Sequence, residues 1–296
     1  MNFNEERAKK VAEIEAVIRE YIPEQSGYQK DIMSAMEYSL LAGGKRLRPM
    51  LMKETYEMFG GTSKAIRPFM AALEMIHTYS LVHDDLPAMD DDDYRRGRKT
   101  THVVYGEAMG ILAGDALLNY AFETAAGAFE LEPSDSARIG RAIAVLAGKA
   151  GIFGMIGGQV VDVQSEGKSI EKDVLDFIYE LKTSALIESA MMTGAILAGA
   201  SEDEIRAVEQ IARYVGLAFQ IQDDILDVTS TAEVLGKPVH SDEKNEKTTY
   251  VTLEGIEKAK RDVEELSRKA ITLLNGLQRE NPYLRWLLEE LIDRKN

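Results

Sequence analysis

Two clusters of aspartates constrain this chain more than any other feature, because each lies at the end of an apolar segment with helical spacing. The first cluster runs from Asp84 to Asp93, and the second runs from Asp223 to Asp227. Carboxylates this close together repel one another unless a cation neutralises them. We therefore expect the fold to bring both clusters to one pocket, where a hard divalent ion such as Mg²⁺ links them to a polyphosphate.

Helical periodicity dominates the rest of the sequence. Apolar residues recur at spacings of three and four over 11–21 and 32–40, and the helix breakers Pro23 and Gly43 follow these two runs. Convincing alternating strands, internal repeats and Pro/Ser-rich linkers are missing from the sequence. The pattern predicts a single all-α domain over residues 1–296, built from about a dozen helices.

Composition and charge narrow the functional classes. The chain is 45% hydrophobic and has a net charge of −15, so it has ample material for a core and no charge surplus that favours nucleic acid. It contains no cysteine, which is compatible with the cytosol, and we expect a cytoplasmic protein. The longest stretch without a charge, Ser189 to Ser201, is shorter than the roughly 20 residues of a membrane span. This stretch is expected to be a buried core helix, and no membrane span is predicted.

The second aspartate cluster has a regular helical spacing. Gln220, Asp223 or Asp224, and Asp227 recur at three- and four-residue intervals and share one helix face. Mg²⁺ held by one or two of these carboxylates, with water and phosphate oxygens, would remove their mutual repulsion. The alternative interpretation of the spacing is a solvated acidic edge on a surface helix.

The first cluster is less regular. Pro87 disfavours helix at the residue before it, so the helix should end near Asp85, and four further acids, 90–93, follow in a loop. A disordered acidic loop and a Ca²⁺ site are the alternatives, although the spaced pattern of an EF-hand loop is missing. Because Arg95 and Arg96 follow at once, a metal–phosphate complex suits the segment better than a solvated tail.

The basic groups are weak signals one by one. The turn 43–49 contains Lys45, Arg46 and Arg48 and is a candidate phosphate cradle, but its spacing is not that of a P-loop. Taken alone, the run is better explained as an ordinary basic turn between helices. The four histidines show no spacing typical of a zinc site.

In combination, these segments carry a specific likeness. The stretch from His83 to Gly97, followed by 220–227 and by Leu235-Gly236-Lys237, closely resembles the trans-isoprenyl diphosphate synthases, and within them the bacterial farnesyl diphosphate synthases. The resemblance runs nearly end to end, from Gly43 to the basic C-terminus. It implies an all-α bundle around a deep central cavity, the isoprenoid synthase fold, together with Mg²⁺ and a homodimer.

The resemblance also implies roles for individual residues. The implied metal ligands are Asp84, Asp85, Asp90, Asp223, Asp224 and Asp227. The implied site for isopentenyl diphosphate consists of Lys45, Arg48, His77 and Arg96, and Arg95 and Lys247 would contact diphosphate groups. The residues implied around the ionising allylic substrate are Lys182, Thr183, Gln220 and Lys237. Tyr79 and Ser80 occupy the positions that shape the floor of the product tunnel in this family.

The implied reaction condenses isopentenyl diphosphate with dimethylallyl or geranyl diphosphate to give farnesyl diphosphate. The aromatic Tyr79 and the longer Asp-Asp-x-x-x-x-Asp motif resemble farnesyl synthases, whereas smaller residues at that position accompany geranylgeranyl products. Geranylgeranyl synthesis, a terpene cyclase, a non-catalytic regulatory subunit and a Ca²⁺-binding helical protein are the alternatives. Three loop positions depart from the family pattern, namely Lys99, His240 and Val251.

Overall fold

The described part of the chain is built almost entirely from helices. A computed structural model describes residues 3–229 and 248–292. Their helices are α1 Phe3–Glu20, α2 Lys30–Leu40, α3 Leu47–Met58, α4 Ile66–Asp84, α5 Thr101–Tyr105, α6 Glu107–Ala126, α7 Ala128–Leu131, α8 Ser136–Ala150, α9 Met155–Gln164, α10 Lys172–Ile178, α11 Ala185–Ala198, α12 Glu202–Thr229, α13 Tyr250–Glu254, α14 Ile256–Gly276 and α15 Pro282–Ile292. A 3₁₀ turn, Pro133–Asp135, precedes α8, and one turn of π-helix, Tyr179–Ser184, joins α10 to α11. The all-α prediction is confirmed.

The helix ends follow the breakers in the sequence. α4 ends at Asp84, and the amide of Asp85 still bonds to the carbonyl of Leu81 in the last turn. This end agrees with the one predicted from Pro87. The first aspartate cluster therefore begins where a buried helix leaves the core, and its remaining acids lie in the segment that follows.

The segment 87–101 contains a short hairpin that the sequence analysis did not predict. Strands β1 Tyr94–Arg95 and β2 Arg98–Lys99 pair antiparallel. Arg96 and Gly97 at the turn both have positive φ, at 53° and 74°, which is the backbone of a type I′ hairpin turn. The sequence prediction of a plain loop missed this turn, because the first of its two left-handed positions is an arginine rather than the usual asparagine, aspartate or glycine.

Helix α11 lies at the centre of one continuous apolar core to which side chains from α1 through α15 contribute. Every residue from Ala185 to Leu197 is buried, which confirms the prediction of a buried core helix in this region. A Cβ added at Gly194 would come within 2.4 Å of the carbonyl oxygen of Met52, so α11 and α3 cross in close backbone contact. This core holds the ends of α4 and α12, which carry the aspartates.

The run Pro133–Gln164 is long and apolar enough, by length and composition alone, to cross a membrane. Core helices of soluble proteins meet the same criterion, and the run is divided at 151–154 between α8 and α9. It is therefore a weak indication, and the prediction that the chain lacks a membrane span stays a prediction.

Candidate active site

Two cavities meet at Lys182 and Thr183. The larger has a volume of about 800 Å³, is mostly apolar, and reaches Arg48 and Asp84. The smaller, of about 210 Å³, is polar and bounded by Gln220, Asp223 and Asp224. Lys182 and Thr183 line both cavities. The two aspartate clusters therefore lie on either side of one lysine–threonine pair, and they do not face separate surfaces.

The first cluster lies at the polar edge of the large cavity. Asp84 accepts a hydrogen bond of 2.8 Å from the side-chain amide of Gln159 on α9. Asp85 is buried and forms an ion pair of 2.6 Å with Arg95. Asp90 is exposed, and its amide donates to the carbonyl of Asp84. Arg95 thus neutralises one carboxylate of the cluster directly.

Burial makes the charge on Asp84 unfavourable. Desolvation raises its pKa to about 6, and the nearby carboxylates of Asp90 and Asp85 also raise it, against the lowering effects of Lys182 and Arg95. For Lys182, burial lowers the pKa, but Asp162 and Asp84 more than offset this, so that its pKa lies above the ordinary value. Lys182 therefore remains an ammonium ion near neutral pH, between the two acidic clusters.

The second cluster lies on the last turns of α12. Asp223 is partly exposed at the small cavity, whereas Asp224 and Asp227 are almost fully buried, at 6% and 4% exposure. Gln220, one turn earlier, lines the same small cavity. The helix face that these residues share thus lies against the core. It is not the solvated acidic edge that was the alternative interpretation.

The π-helical turn explains how Lys182 and Thr183 both reach the cavities. The amide of Ala185 bonds to the carbonyl of Glu180, five residues back. Such an i→i+5 turn interrupts the α-helical repeat and so changes the direction of the side chains in it, and Lys182 and Thr183 lie within it. A Cβ at Gly158 would come within 2.3 Å of the amide nitrogen of Lys182, so α9 packs directly against this turn.

The two arginines of the basic turn after α2 have different surroundings. Arg46 is buried in ion pairs with Glu74, at 2.7 Å, and with Glu15. Arg48 lines the large cavity, and its Nη1 lies 3.3 Å from Nε2 of His77. Its Nε–H group is buried and has no hydrogen-bond partner among the described residues.

Positive charge at this end of the large cavity is poorly compensated. Burial lowers the pKa of Arg48 to about 10; the carboxylate of Glu74 opposes this effect, and the charge of Arg96 adds to it. Burial and then Arg48 lower the pKa of His77 well below its usual value, so His77 is neutral near pH 7. An unpartnered buried donor and clustered guanidinium groups fit an anionic ligand. Lys45 is exposed in the same turn, and Arg96 donates a hydrogen bond to the carbonyl of Gly43.

Tyr79 and Ser80 both line the large cavity. Tyr79 is 5% exposed, and its ring meets that of His83 edge to face, with centroids 5.8 Å apart. Burial raises the pKa of Tyr79 to about 12, so the phenol stays protonated. Ser80 donates to the carbonyl of His77 and is half-buried. These are the positions predicted to shape the tunnel floor.

Two polar residues of the site were missed in the sequence. Gln159 bonds to Asp84, and Asp162 forms an ion pair of 2.5 Å with Lys182. Both lie on α9 and are spaced three residues apart, and Gln159 directly follows Gly157 and Gly158. Polar residues at helical spacing in an otherwise apolar segment were the available signal.

The remaining sequence predictions concern two loop lysines and the three positions that depart from the family pattern. Lys237, Lys247 and the departure at His240 lie outside the described residues. The departure at Lys99 lies in β2, where its carbonyl accepts a 2.7 Å hydrogen bond from Tyr38. Val251 lies in the first turn of α13, because the side chain of Thr249 caps a short helix that begins at Tyr250. The prediction that Lys99 and Val251 are loop positions was therefore wrong.

The donor set fits a hard divalent ion that arrives with phosphate oxygens. Among residues 3–229 and 248–292, no group of three His, Cys, Asp or Glu side chains is arranged to hold a metal by itself. Mg²⁺ typically takes only one or two protein carboxylates and completes its shell with water and substrate phosphates. Asp84, whose buried charge is costly, and the partly exposed Asp223 are suited to that role.

Comparison with known proteins places the chain in one family. The polyprenyl synthetase family profile matches residues 29–281. A geranylgeranyl diphosphate synthase of Cyanophora paradoxa is 46% identical over 258 residues, covering 87% of this chain and 85% of that protein. A farnesyl diphosphate synthase of Geobacillus stearothermophilus is 44% identical over 247 residues, covering 83% and 82%.

A solved structure shows the same fold. It is a geranyltransferase from Helicobacter pylori in complex with magnesium and isoprenyl diphosphate, with a TM-score of 0.83, 30% identity, and coverage of 99% of this chain and 97% of that one. The chain belongs to the polyprenyl synthetase family. Its enzyme class is that of the trans-prenyl diphosphate synthases.

The raised pKa of Asp84 predicts how metal-free stability depends on pH. Between its ordinary value of 3.8 and about 6, the unfolded carboxyl loses its proton while the folded one keeps it. The free energy of unfolding should therefore fall as pH rises through this window. Replacing Asp84 with Asn should stabilise the metal-free protein by about 1–3 kcal/mol at pH 7.5 and change it little near pH 4. Urea unfolding at both pH values measures this difference.

The matched control for that experiment is Asp93→Asn, which removes an exposed acid from the same segment. This change should alter the free energy of unfolding by less than about 0.5 kcal/mol at either pH. An Asp84→Asn protein that is no more stable than the wild type at pH 7.5 would show that the Asp84 charge is already well accommodated.

Proposed function

We propose that this chain is a Mg²⁺-dependent farnesyl diphosphate synthase that condenses isopentenyl diphosphate with dimethylallyl and then geranyl diphosphate. The observation that carries the proposal is the pair of cavities that share Lys182 and Thr183, with aspartates on both sides and an apolar space behind. This arrangement suits a diphosphate joined to a hydrocarbon chain. The relatives named above, some called farnesyl and others geranylgeranyl diphosphate synthases, are consistent with this substrate class.

The allylic substrate is expected to place its diphosphate at the junction of the cavities. Bound Mg²⁺ would supply charge neutralisation for the diphosphate as the bond to carbon breaks. Lys182 donates to the leaving oxygens, and its pairing with Asp162 fixes its position beforehand. Thr183 and Gln220 present their dipoles to the allylic carbon, and the apolar wall keeps water from the cation.

The second substrate, isopentenyl diphosphate, is assigned to the basic end of the large cavity. Arg48 offers its unpartnered Nε–H group, and neutral His77 offers an N–H group rather than a charge. Arg96 adds a guanidinium from the hairpin turn. Held there, the alkene of isopentenyl diphosphate faces the same cavity as the allylic carbon. Bond formation is followed by loss of a proton, for which the departed diphosphate is the base that the family resemblance implies.

Activity of the purified chain tests this proposal. With Mg²⁺, dimethylallyl diphosphate and radiolabelled isopentenyl diphosphate, we expect farnesyl diphosphate as the main product and no product in excess EDTA.

Lys182→Gln should lower kcat by about 10²–10³-fold, because a donor to the leaving oxygens is lost. Tyr56→Phe is the matched control, since Tyr56 bonds to Ser63 in the core away from both cavities.

Each alternative gives a distinct result in that assay. Release of a hydrocarbon from the allylic substrate alone indicates a cyclase, and absence of diphosphate release indicates a regulatory subunit. Full activity in EDTA contradicts the role given to Mg²⁺. Both aspartate clusters are present and face the shared cavities, which favours an active synthase over a regulatory subunit.

Geranylgeranyl diphosphate synthesis is the second candidate, and the side chain of Tyr79 discriminates between the two. Tyr79 is a large aromatic residue in the wall of the apolar cavity. Replacing it with Ala should open the cavity and move the main product from fifteen to twenty carbons or more. Tyr56→Phe, which removes a hydroxyl away from both cavities, should leave the product length unchanged. Chromatography of the dephosphorylated products measures both. An unchanged distribution for Tyr79→Ala would show that another residue forms the floor.

We also propose that the chain acts as a homodimer. Large apolar side chains are exposed on α6 and just before α9, and the most exposed are Leu112 at 52%, Ile152 at 70% and Phe153 at 85%. Ile111 and Val160 are exposed and also line the large cavity, so this face adjoins the cavity. A second copy would remove these side chains from water.

Sedimentation velocity tests the homodimer. The wild type should sediment as a dimer, and the double change Leu112→Arg with Phe153→Asp should give monomers, because two charges would be buried at the contact. Leu253→Arg, on α13, is the control with an exposed apolar residue elsewhere. A monomeric wild type, or a dimer that survives the double change, would contradict the assignment of this face.

A further inference from the structure

The carboxylate of Asp224 is held by two donors of the protein. Its Oδ2 accepts a hydrogen bond of 2.5 Å from the hydroxyl of Tyr179 and one of 2.7 Å from the backbone amide of Tyr250. All three residues are buried, with exposures of 5–8%. Hydrogen bonds to an ionised carboxylate in such a setting are short and strong. Asp224 is therefore engaged in fixing the structure through this oxygen, whereas its neighbour Asp223 lies partly exposed at the small cavity.

These two hydrogen bonds join three segments that are distant in sequence. Tyr179 begins the π-helical turn, Asp224 lies near the end of α12, and Tyr250 is the first residue of α13. The other end of the turn also packs closely against α12. A Cβ added at Gly216 would lie 2.3 Å from the hydroxyl oxygen of Ser184. The π-helical turn is thus attached to α12 at both of its ends.

The attachment determines where Lys182 and Thr183 lie. They occupy the middle of the turn, between the anchored residues Tyr179 and Ser184. A π-helical turn is less stable than an α-helix of the same length, so it persists where tertiary contacts hold it. Without an anchor at Tyr179, the segment 179–184 would be free to relax toward α-helix, which would rotate Lys182 and Thr183 relative to the second aspartate cluster.

We propose that Tyr179 is a positioning residue for the reaction. Its hydroxyl orients the Asp224 carboxylate and keeps the π-helical turn in register with α12, so that Lys182 and Thr183 face the allylic diphosphate. The role in catalysis rests on the function proposed above. A tyrosine that served only to fill the core would need its ring but not its hydroxyl, and phenylalanine would replace it without consequence.

The kinetic test is Tyr179→Phe, compared with Tyr56→Phe. Both changes delete one hydroxyl from a buried tyrosine, but Tyr56 donates to a backbone carbonyl, that of Ser63, away from the two cavities. We expect Tyr179→Phe to lower kcat by about tenfold or more, as for loss of a hydrogen bond to a charged group. The KM for isopentenyl diphosphate should change less than about twofold, because Arg48 and His77 hold that substrate at the other end of the large cavity.

A double-variant comparison separates positioning from packing. If Tyr179 acts through Asp224, then adding Tyr179→Phe to Asp224→Asn should lower kcat little further, because the partner of the hydroxyl has already lost its charge. Independent, multiplicative losses would overturn the proposal. So would a Tyr179→Phe enzyme with wild-type kcat, or one whose kcat falls no further than that of Tyr56→Phe.

Hydrogen exchange of the metal-free protein gives a readout that does not depend on turnover. In Tyr179→Phe and in Asp224→Asn, the amides of residues 179–184 and 249–254 should exchange faster than in the wild type, while Tyr56→Phe should leave them unchanged. Unchanged exchange in both site variants would overturn the proposed attachment. If the wild type proves inactive, the function proposed above fails, and the exchange result still decides whether Tyr179 holds these segments together.

Discussion

The structure depends on the position of Lys182, the ammonium group that lies where a polar and an apolar cavity meet. Its charge is maintained by Asp162 and Asp84 against the cost of burial. The acids of the two clusters lie on either side of Lys182, and Lys182 forms part of the wall of both cavities. A diphosphate placed there has a cation on one side and carboxylates that need a cation on the others.

The surrounding helices serve to hold this arrangement rigid. Close backbone approaches at Gly158, Gly194 and Gly216 let α9, α11 and α12 pack around the π-helical turn. Buried ion pairs do similar work elsewhere, as when Arg46 joins the turn after α2 to Glu74 on α4. In the proposed reaction the substrate forms a reactive cation, which requires groups that are already in place, because reorganisation and entering water both compete with the reaction.

Much of the fold was predictable from local signals, whereas the contacts within the site were not. Pro87 and the Gly43-Gly44 pair mark helix ends that the structure confirms, because these residues act on their own backbone neighbourhood. The spacing of Gln220, Asp223 and Asp227 predicted a shared face for the same reason. The π-helical turn left no local signal, since it is held by Asp224 and Gly216, more than thirty residues later in the chain. The pairs Gln159–Asp84 and Asp162–Lys182 likewise join separate helices.

Product length shows where prediction from sequence ends. The identity of Tyr79 is visible in the sequence, but the volume behind it is set jointly by side chains from α4, α6 and α9, and their packing is a tertiary property. Likewise, Lys45, Arg46 and Arg48 form one basic run in the sequence, and the structure alone shows that Arg46 is used in ion pairs while Arg48 keeps a donor for the cavity.

The most direct measurement is a crystal structure of the chain with Mg²⁺ and an unreactive thio analogue of geranyl diphosphate. We expect diphosphate oxygens at the junction beside Lys182, metal held by carboxylates of both aspartate clusters, and the hydrocarbon directed toward Tyr79. A diphosphate bound away from Lys182, or metal on only one of the aspartate clusters with the hydrocarbon outside the large cavity, would contradict it.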